Sequence, residues 1–203
     1  MAAEIAAFSL AALVITLTPG ADMALVARRA VADGWHTAAR TSLGVVSGLV
    51  VHAAAAAIGV SAILAHSATA FTALKLVGAA YLAFLGVLAF RSARHVREGR
   101  PPKLHRGRPF LQGFLNNVLN PKVAVFYVAF LPQFIRPGDP VALLAAIMVA
   151  IHISMGIAWL FLWAWLVSRA RGVFLRPRWR AAMERVTGTV FLAFGVRLAT
   201  LSR

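Results

Sequence analysis

Gly113-Phe114-Leu115-Asn116-Asn117-Val118-Leu119-Asn120-Pro121-Lys122-Val123-Ala124-Val125 is the stretch whose reading decides the fold. It sits inside an apolar run over 110–135, and about 20 such residues suffice for a helix to cross a bilayer. Lys122 lies about 12 residues into that run, or roughly 18 Å along a helix axis at about 1.5 Å per residue. That places an ammonium near the middle of a hydrocarbon core roughly 30 Å thick. Pro121 removes a backbone donor and frees a carbonyl. In lipid, freed backbone groups persist only where protein buries them or a cavity is lined by them, and a charge at that depth faces the bundle interior. The stretch therefore predicts a broken membrane helix carrying an internal polar site.

A second interrupted run lies at the N-terminus, over 5–27, where Thr16, Thr18-Pro19-Gly20 and Asp22 cluster. Four further runs follow, over 41–65 with His52, 68–90 with Lys75, 141–168 with His152 and 186–202 with Arg197. The expected fold is an all-α integral membrane protein of six transmembrane helices, the first and fourth broken at proline. The connections leave no room for a soluble domain. Residues 1–203 form a single membrane domain, with a first half of about 1–90, a basic loop of about 91–109 marked by Gly99, Pro101, Pro102 and Gly107, and a second half of about 110–203.

Composition agrees. Of 203 residues, 61% are apolar and 13% charged, and 21 Lys+Arg oppose 6 Asp+Glu for a net charge of +15. A mean hydropathy of +0.79 excludes a disordered chain or an ordinary soluble domain. A pI near 12.0 would suit a nucleic-acid binder, but such proteins do not devote this much sequence to hydrocarbon. The absence of cysteine excludes disulfides and thiol chemistry. The positive charge sits in alternate loops. Arg28, Arg29 and Arg40 follow the first span, a run from Arg91 to Arg108 follows the third, and a run from Arg169 to Arg185 follows the fifth. By the positive-inside rule these loops are cytoplasmic and both termini are outside. Met1-Ala2-Ala3-Glu4 has no basic n-region, which favours a retained first span over a cleaved signal peptide.

The halves resemble each other. Gly78-Ala79-Ala80-Tyr81-Leu82-Ala83-Phe84 in the third span aligns with Gly188-Thr189-Val190-Phe191-Leu192-Ala193-Phe194 in the sixth. The second and fifth spans each hold one histidine, and the first and fourth are each broken. Because three is odd, the second half enters the membrane upside down relative to the first. This gives two inverted three-helix repeats, an architecture of secondary transporters whose sites form at paired helix breaks.

The site residues are therefore Pro19, Gly20 and Asp22 in the first span and Asn116, Asn117, Asn120, Pro121 and Lys122 in the fourth. Flanking one aqueous cavity, Lys122 can meet a carboxylate and Asp22 an ammonium, so a zwitterionic amino acid satisfies both. The competing reading is a permanent Asp22–Lys122 pair. Asp22, His52 and His152 are candidates for proton coupling. Lys75, a turn or two inside its helix, can snorkel to the outer interface. Gly44 and Gly48 form a G-x-x-x-G that reads as close helix packing with room for a homodimer. Trp159, Phe161, Trp163 and Trp165 read as an interfacial anchor. The sequence holds no H-E-x-x-H, G-x-S-x-G or P-loop and no acidic pair for a divalent cation, so no enzyme, cofactor or metal is expected. With no nucleotide site, active transport has to draw on an ion gradient.

Pro19-Gly20-Ala21-Asp22, Ala27-Arg28-Arg29-Ala30 with Gly34, Leu43-Gly44 through His52 to Gly59, and Lys75-Leu76-Val77-Gly78-Ala79-Ala80-Tyr81-Leu82 with Gly86 resemble the lysine exporter (LysE/RhtB) family. The most specific match runs from Phe110 through Asn116-Asn117-Val118-Leu119-Asn120-Pro121-Lys122 to Phe130-Leu131-Pro132-Gln133-Phe134, and the resemblance extends from about 5 to 200. It implies a bacterial inner-membrane exporter of amino acids or close analogues, driven by the proton gradient, with function on Pro19, Gly20, Asp22, Asn120, Pro121 and Lys122. The family's Pro-Gly-Pro is here Pro19-Gly20-Ala21, which restores a backbone donor and implies a less rigid first break. The partners expected are an amino acid, protons and membrane lipid, with no nucleic acid. Two other classes fit the same bundle: a non-transporting scaffold or enzyme with Asp22 and Lys122 merely paired, and a small-solute channel with a continuous polar pore.

Overall fold

The computed structural model describes residues 2–66, 68–94, 107–136, 138–170, 173 and 176–200. Most of the basic loop, including Arg97, Arg100, Lys103 and Arg106, lies outside the described residues, as do Arg171, Ser202 and Arg203.

The first span is two helices. α1 (Ala2–Leu17) stops ahead of Thr18-Pro19-Gly20, and α2 (Ala21–Asp33) restarts after a Gly20 in extended conformation, φ −177° and ψ −169°. The two axes meet at 46°. The break therefore persists with Ala21 in place of a second proline. α2 ends at Gly34, whose φ of +82° is a conformation that suits glycine. α3 (Trp35–His66) and α4 (Ala68–Arg94) are long and unbroken.

The fourth span breaks in the same manner. α5 (Pro109–Val118) and α6 (Pro121–Val125) are separated by Leu119-Asn120, with Pro121 in the first turn of α6, where a missing N–H costs least. Asn120 caps α6, its side-chain oxygen accepting from the Lys122 backbone N–H at 3.0 Å. The chain continues through a π turn (Phe126–Phe130) and a 3-10 turn (Leu131–Phe134). The bend between α5 and the segment from Pro121 to Phe134 is 48°. α7 (Val141–Arg169) and α8 (Pro177–Thr200) are the last two long helices among the described residues.

Among the described residues eight α-helices make the fold all-helical. Three described helices carry stretches long and apolar enough to cross a membrane, in α3, α4 and α7, and counting each bent pair as one span raises that to five. The sequence led us to expect six. The difference is α8, where Glu184 and Arg185 on one side and Arg197 on the other leave too short an apolar stretch between them. α8 nevertheless lies along α4, with Gly86 against Gly188.

The broken pairs occupy the centre, packed against α3 and α7. Large apolar side chains point outward, among them Leu119 (77% exposed), Val77 (66%) and Leu10 (65%), which is the exterior a lipid-facing bundle needs. Gly44 and Gly48 correct one expectation. They lie against α5 of the same chain: a Cβ on Gly44 would overlap the Phe110 carbonyl oxygen, and one on Gly48 would come within 2.6 Å of the Asn117 side-chain oxygen. Gly113 reciprocates against the Thr41 carbonyl. The motif therefore serves an internal α3–α5 seam and is not a free face for a second copy.

The tryptophan cluster is corrected in part. Trp163 is buried and donates to the Met23 carbonyl at 3.0 Å, and Trp159 donates to the Met23 Sδ at 3.5 Å. Both bind α7 to α2. Trp165 alone among the three tryptophans is exposed, with the Arg169 guanidinium 5.8 Å over its ring. Lys75 is partly exposed on α4.

Candidate functional site: the junction of two helix breaks

Breaking a helix leaves carbonyls without partners before the break and N–H groups without partners after it. In this fold each break is completed by side chains from the other. Asp22, in the first turn of α2, receives three amides from the fourth span. Asn116 Nδ2 donates to its Oδ1 at 2.7 Å, and Asn117 and Asn120 Nδ2 each donate to its Oδ2 at 2.9 Å. The carboxylate also sits at the N-terminal end of α2, where the helix dipole favours negative charge. Asn120 acts twice, capping α6 through its oxygen and holding Asp22 through its nitrogen.

Lys122 does the converse. Its Nζ donates to the carbonyl oxygens of Ile15 and Thr18, at 3.2 and 3.0 Å, where α1 ends. Those carbonyls are the negative end of a helix dipole, so the ammonium rests in a cradle of backbone oxygens. Gly20 makes room for it: a Cβ there would stand 3.2 Å from Nζ. Among the described residues no carboxylate lies within ion-pair distance of Lys122. Asp22 and Lys122 are brought to one place but held by different partners, so the reading of a permanent direct pair is not what the geometry contains.

Between them is a cavity of about 50 Å³. At roughly 10–15 Å³ per water it takes a few waters and must widen to admit an amino acid. Thr16, Asp22, Asn117, Lys122 and His152 supply its polar wall, and Val45, Val46, Leu49, Phe126, Gly156 and Leu160 are among its apolar lining. Two polar atoms of the lining residues, Thr16 Oγ1 and Asn117 Oδ1, are buried without a hydrogen-bond partner. Of the expected residues, Asp22, Asn117 and Lys122 line the cavity. Gly20, Asn116 and Asn120 support these from behind, and Pro19 and Pro121 shape the breaks.

The two histidines share a partner that the sequence reading did not single out. Tyr127, fully buried in the π turn, stacks against His52 at 6.3 Å and His152 at 5.6 Å between centroids. Its hydroxyl lies 3.0 Å from His152 Nδ1. His52 Nε2 donates to the Asn117 backbone carbonyl at 2.9 Å, which fixes its tautomer. His152 reaches the cavity and His52 stands behind it. Thr187 was missed too. From α8 its hydroxyl reaches the Pro19 carbonyl at 2.7 Å, satisfying an acceptor that the first break leaves free. Nothing local marks Tyr127 or Thr187, because each acts on a residue far away in the chain.

Both ends of the paired broken spans are tied. At one end Arg29, buried on α2, hydrogen-bonds Asp33 at 2.5 Å and Gln112 of α5. At the other, Glu4 of α1 pairs with Arg136 beyond the 3-10 turn.

Comparison with known proteins agrees with this architecture. The family described as LysE type translocator matches residues 13–202. Relatives include a homoserine/homoserine lactone efflux protein of Salmonella typhi, 29% identical over 96% of this chain and 95% of the relative. A threonine efflux protein of Escherichia coli (strain K12) is 27% identical over 92% of each. An uncharacterized membrane protein of Bacillus subtilis (strain 168) is 28% identical over 92% of this chain and 93% of the relative. No solved structure matches the chain. The chain is a multi-pass membrane transporter and not an enzyme, and it belongs to the LysE type translocator family.

Proposed function

We propose that this chain is a secondary active exporter that carries an amino acid from the cytoplasm to the outside of a bacterial inner membrane by proton antiport. In this reading six spans form two inverted three-helix halves, both termini face outward, and Pro19, Gly20, Asp22, Asn116, Asn117, Asn120, Pro121 and Lys122 build the transport site. The observation that carries it is the exchange of partners between the two breaks. Three amides of the fourth span hold Asp22, and Lys122 caps the carbonyls ending α1. A structural crossing needs no such pairing of charges beside a cavity, whereas paired broken helices around one site are a transporter's way of binding a charged solute. The similar bends of 46° and 48° support two related halves.

The relatives named for homoserine and threonine efflux make short hydroxylated amino acids the first substrates to test. The contacts at opposite ends, Arg29–Asp33–Gln112 and Glu4–Arg136, would open alternately as the halves rock. Reconstitution into vesicles with an imposed pH gradient and a panel of labelled amino acids tests this. Uphill movement of at least one of them, dependent on the gradient, is expected. Absence of transport for the whole panel would overturn the reading, and gradient-independent ungated flux would favour a channel.

A further inference from the structure

We infer that Lys122 carries the coupling proton, by trading places with the substrate's ammonium at the carbonyl cradle of Ile15 and Thr18. The inference rests on the exporter reading and adds to it the identity of the proton carrier and the reason exchange is obligatory.

The cradle is a cation site formed by the break itself: two backbone oxygens at the C-terminal end of α1, opened by Gly20 and reached from a cavity. Such ends bind coupling cations in transporters with discontinuous helices, and here a tethered ammonium fills the place. The α-ammonium of an amino acid has the same charge and the same donors, so the cradle holds one or the other but not both.

The other titratable groups facing Lys122 are already committed. Asp22, across the cavity on α2, has three of its four acceptor positions filled by amide donors of the fourth span. His152, on α7, is bound through Nδ1 to Tyr127, and His52 of α3 is bound to the Asn117 carbonyl behind the cavity. Among the described titratable groups at the cavity, Lys122 is the one held by acceptors that an incoming ammonium can take over.

The cycle balances. Substrate enters from the cytoplasm and its ammonium takes the two carbonyls. Lys122, displaced into the cavity that now also holds the substrate's ammonium, loses its two carbonyl partners and meets a like charge. Its N–H bond breaks with the electron pair staying on Nζ, and the proton passes to cytoplasmic water. When the substrate leaves on the outer side, the vacated carbonyls draw a proton from outer water onto Nζ, and the ammonium returns. One proton moves in for each zwitterion that moves out, so one net positive charge enters per cycle.

Lys122→Met and Lys122→Arg in vesicles, with labelled threonine and homoserine, separate the possibilities. Methionine mimics the deprotonated amine, while arginine holds its proton and stays in the cradle. Lys122→Met is expected to lose all acceleration by a pH gradient, and the slower substrate–substrate exchange that remains is expected to be insensitive to pH. Lys122→Arg is expected to lose both. A monodisperse Lys122→Met that loses exchange as fully as Lys122→Arg, or that still concentrates substrate on a pH gradient, would overturn the inference and leave the exporter reading standing. Failure of wild type itself to exchange either amino acid would instead count against the exporter reading for these substrates.

A second measurement needs no variant. In wild type, acidifying the loading side is expected to raise the apparent KM with unchanged maximal rate, by up to about tenfold per pH unit, the limit for one competing proton. A fall in maximal rate at constant KM would overturn competition at the cradle.

Discussion

Lys122 Nζ lies 3.0 Å from the Thr18 carbonyl oxygen, so a side chain launched just after one helix break satisfies the last turn before the other. The two residues are far apart in sequence and lie on different spans. Opening either half against the other would stretch this contact, which ties the chemistry of the site to the motion proposed for it.

Lys122→Ala removes the ammonium from the cradle and leaves the Ile15 and Thr18 oxygens unpaired. Hydrogen bonds to charged groups contribute about 1.5–3 kcal/mol each, but water entering the enlarged cavity offsets part of that loss. The variant is expected to insert and fold while proton-driven efflux falls by at least about 100-fold. Transport at the wild-type rate would remove Lys122 from the site.

Asp22→Asn replaces four acceptor positions by one carbonyl, against three amide donors. At least one donor is left facing another N–H. A loss of about 1–3 kcal/mol is expected, read as earlier thermal unfolding in detergent, together with abolished transport. A variant with an unchanged melting profile and unaltered proton-driven exchange would exclude Asp22 from the machinery.

Gly113→Val tests the α3–α5 seam on which the three asparagines depend. Even a Cβ at this position overlaps the Thr41 carbonyl, and backbone cannot yield as a flexible side chain can. The cost should exceed the roughly 1–3 kcal/mol typical of overpacking, so the purified protein should aggregate on size-exclusion chromatography. A monodisperse, active Gly113→Val would mean that the helices separate more easily than their contact suggests.

Thr187→Val keeps the shape of the side chain and removes the donor to the Pro19 carbonyl. An unpaired buried acceptor costs about 1–3 kcal/mol. The variant should unfold earlier on heating, and its transport should fall in proportion to the loosened first break. An unaltered melting temperature would show that another donor takes over.

The breaks were legible in the sequence because proline acts locally: Pro19 and Pro121 interrupt helices wherever they fall, and polar residues collected beside them. Asp22 and Lys122 stood out because charge in a membrane span is costly. How they were paired was not legible, since only the packing of α2 against α5 decides that Asp22 goes to the asparagines and Lys122 to α1. Gly44 and Gly48 gave the right kind of contact but not the partner, because a small-residue stripe fits another part of the same chain as well as a second copy. Tyr127 was hidden within an apolar stretch, and a π turn that places it between two histidines has no sequence signature. The sixth span is the least legible of the six, because Glu184, Arg185 and Arg197 bound its apolar stretch closely.

In the proposed cycle amino acid and proton move in opposite directions through one site. A pH-sensitive dye trapped in proteoliposomes measures this most directly, with an outward threonine or homoserine gradient, no initial pH gradient and the membrane potential clamped. Substrate efflux is expected to acidify the lumen, and Lys122→Ala to abolish that signal. Efflux of labelled substrate with no lumenal acidification would contradict it.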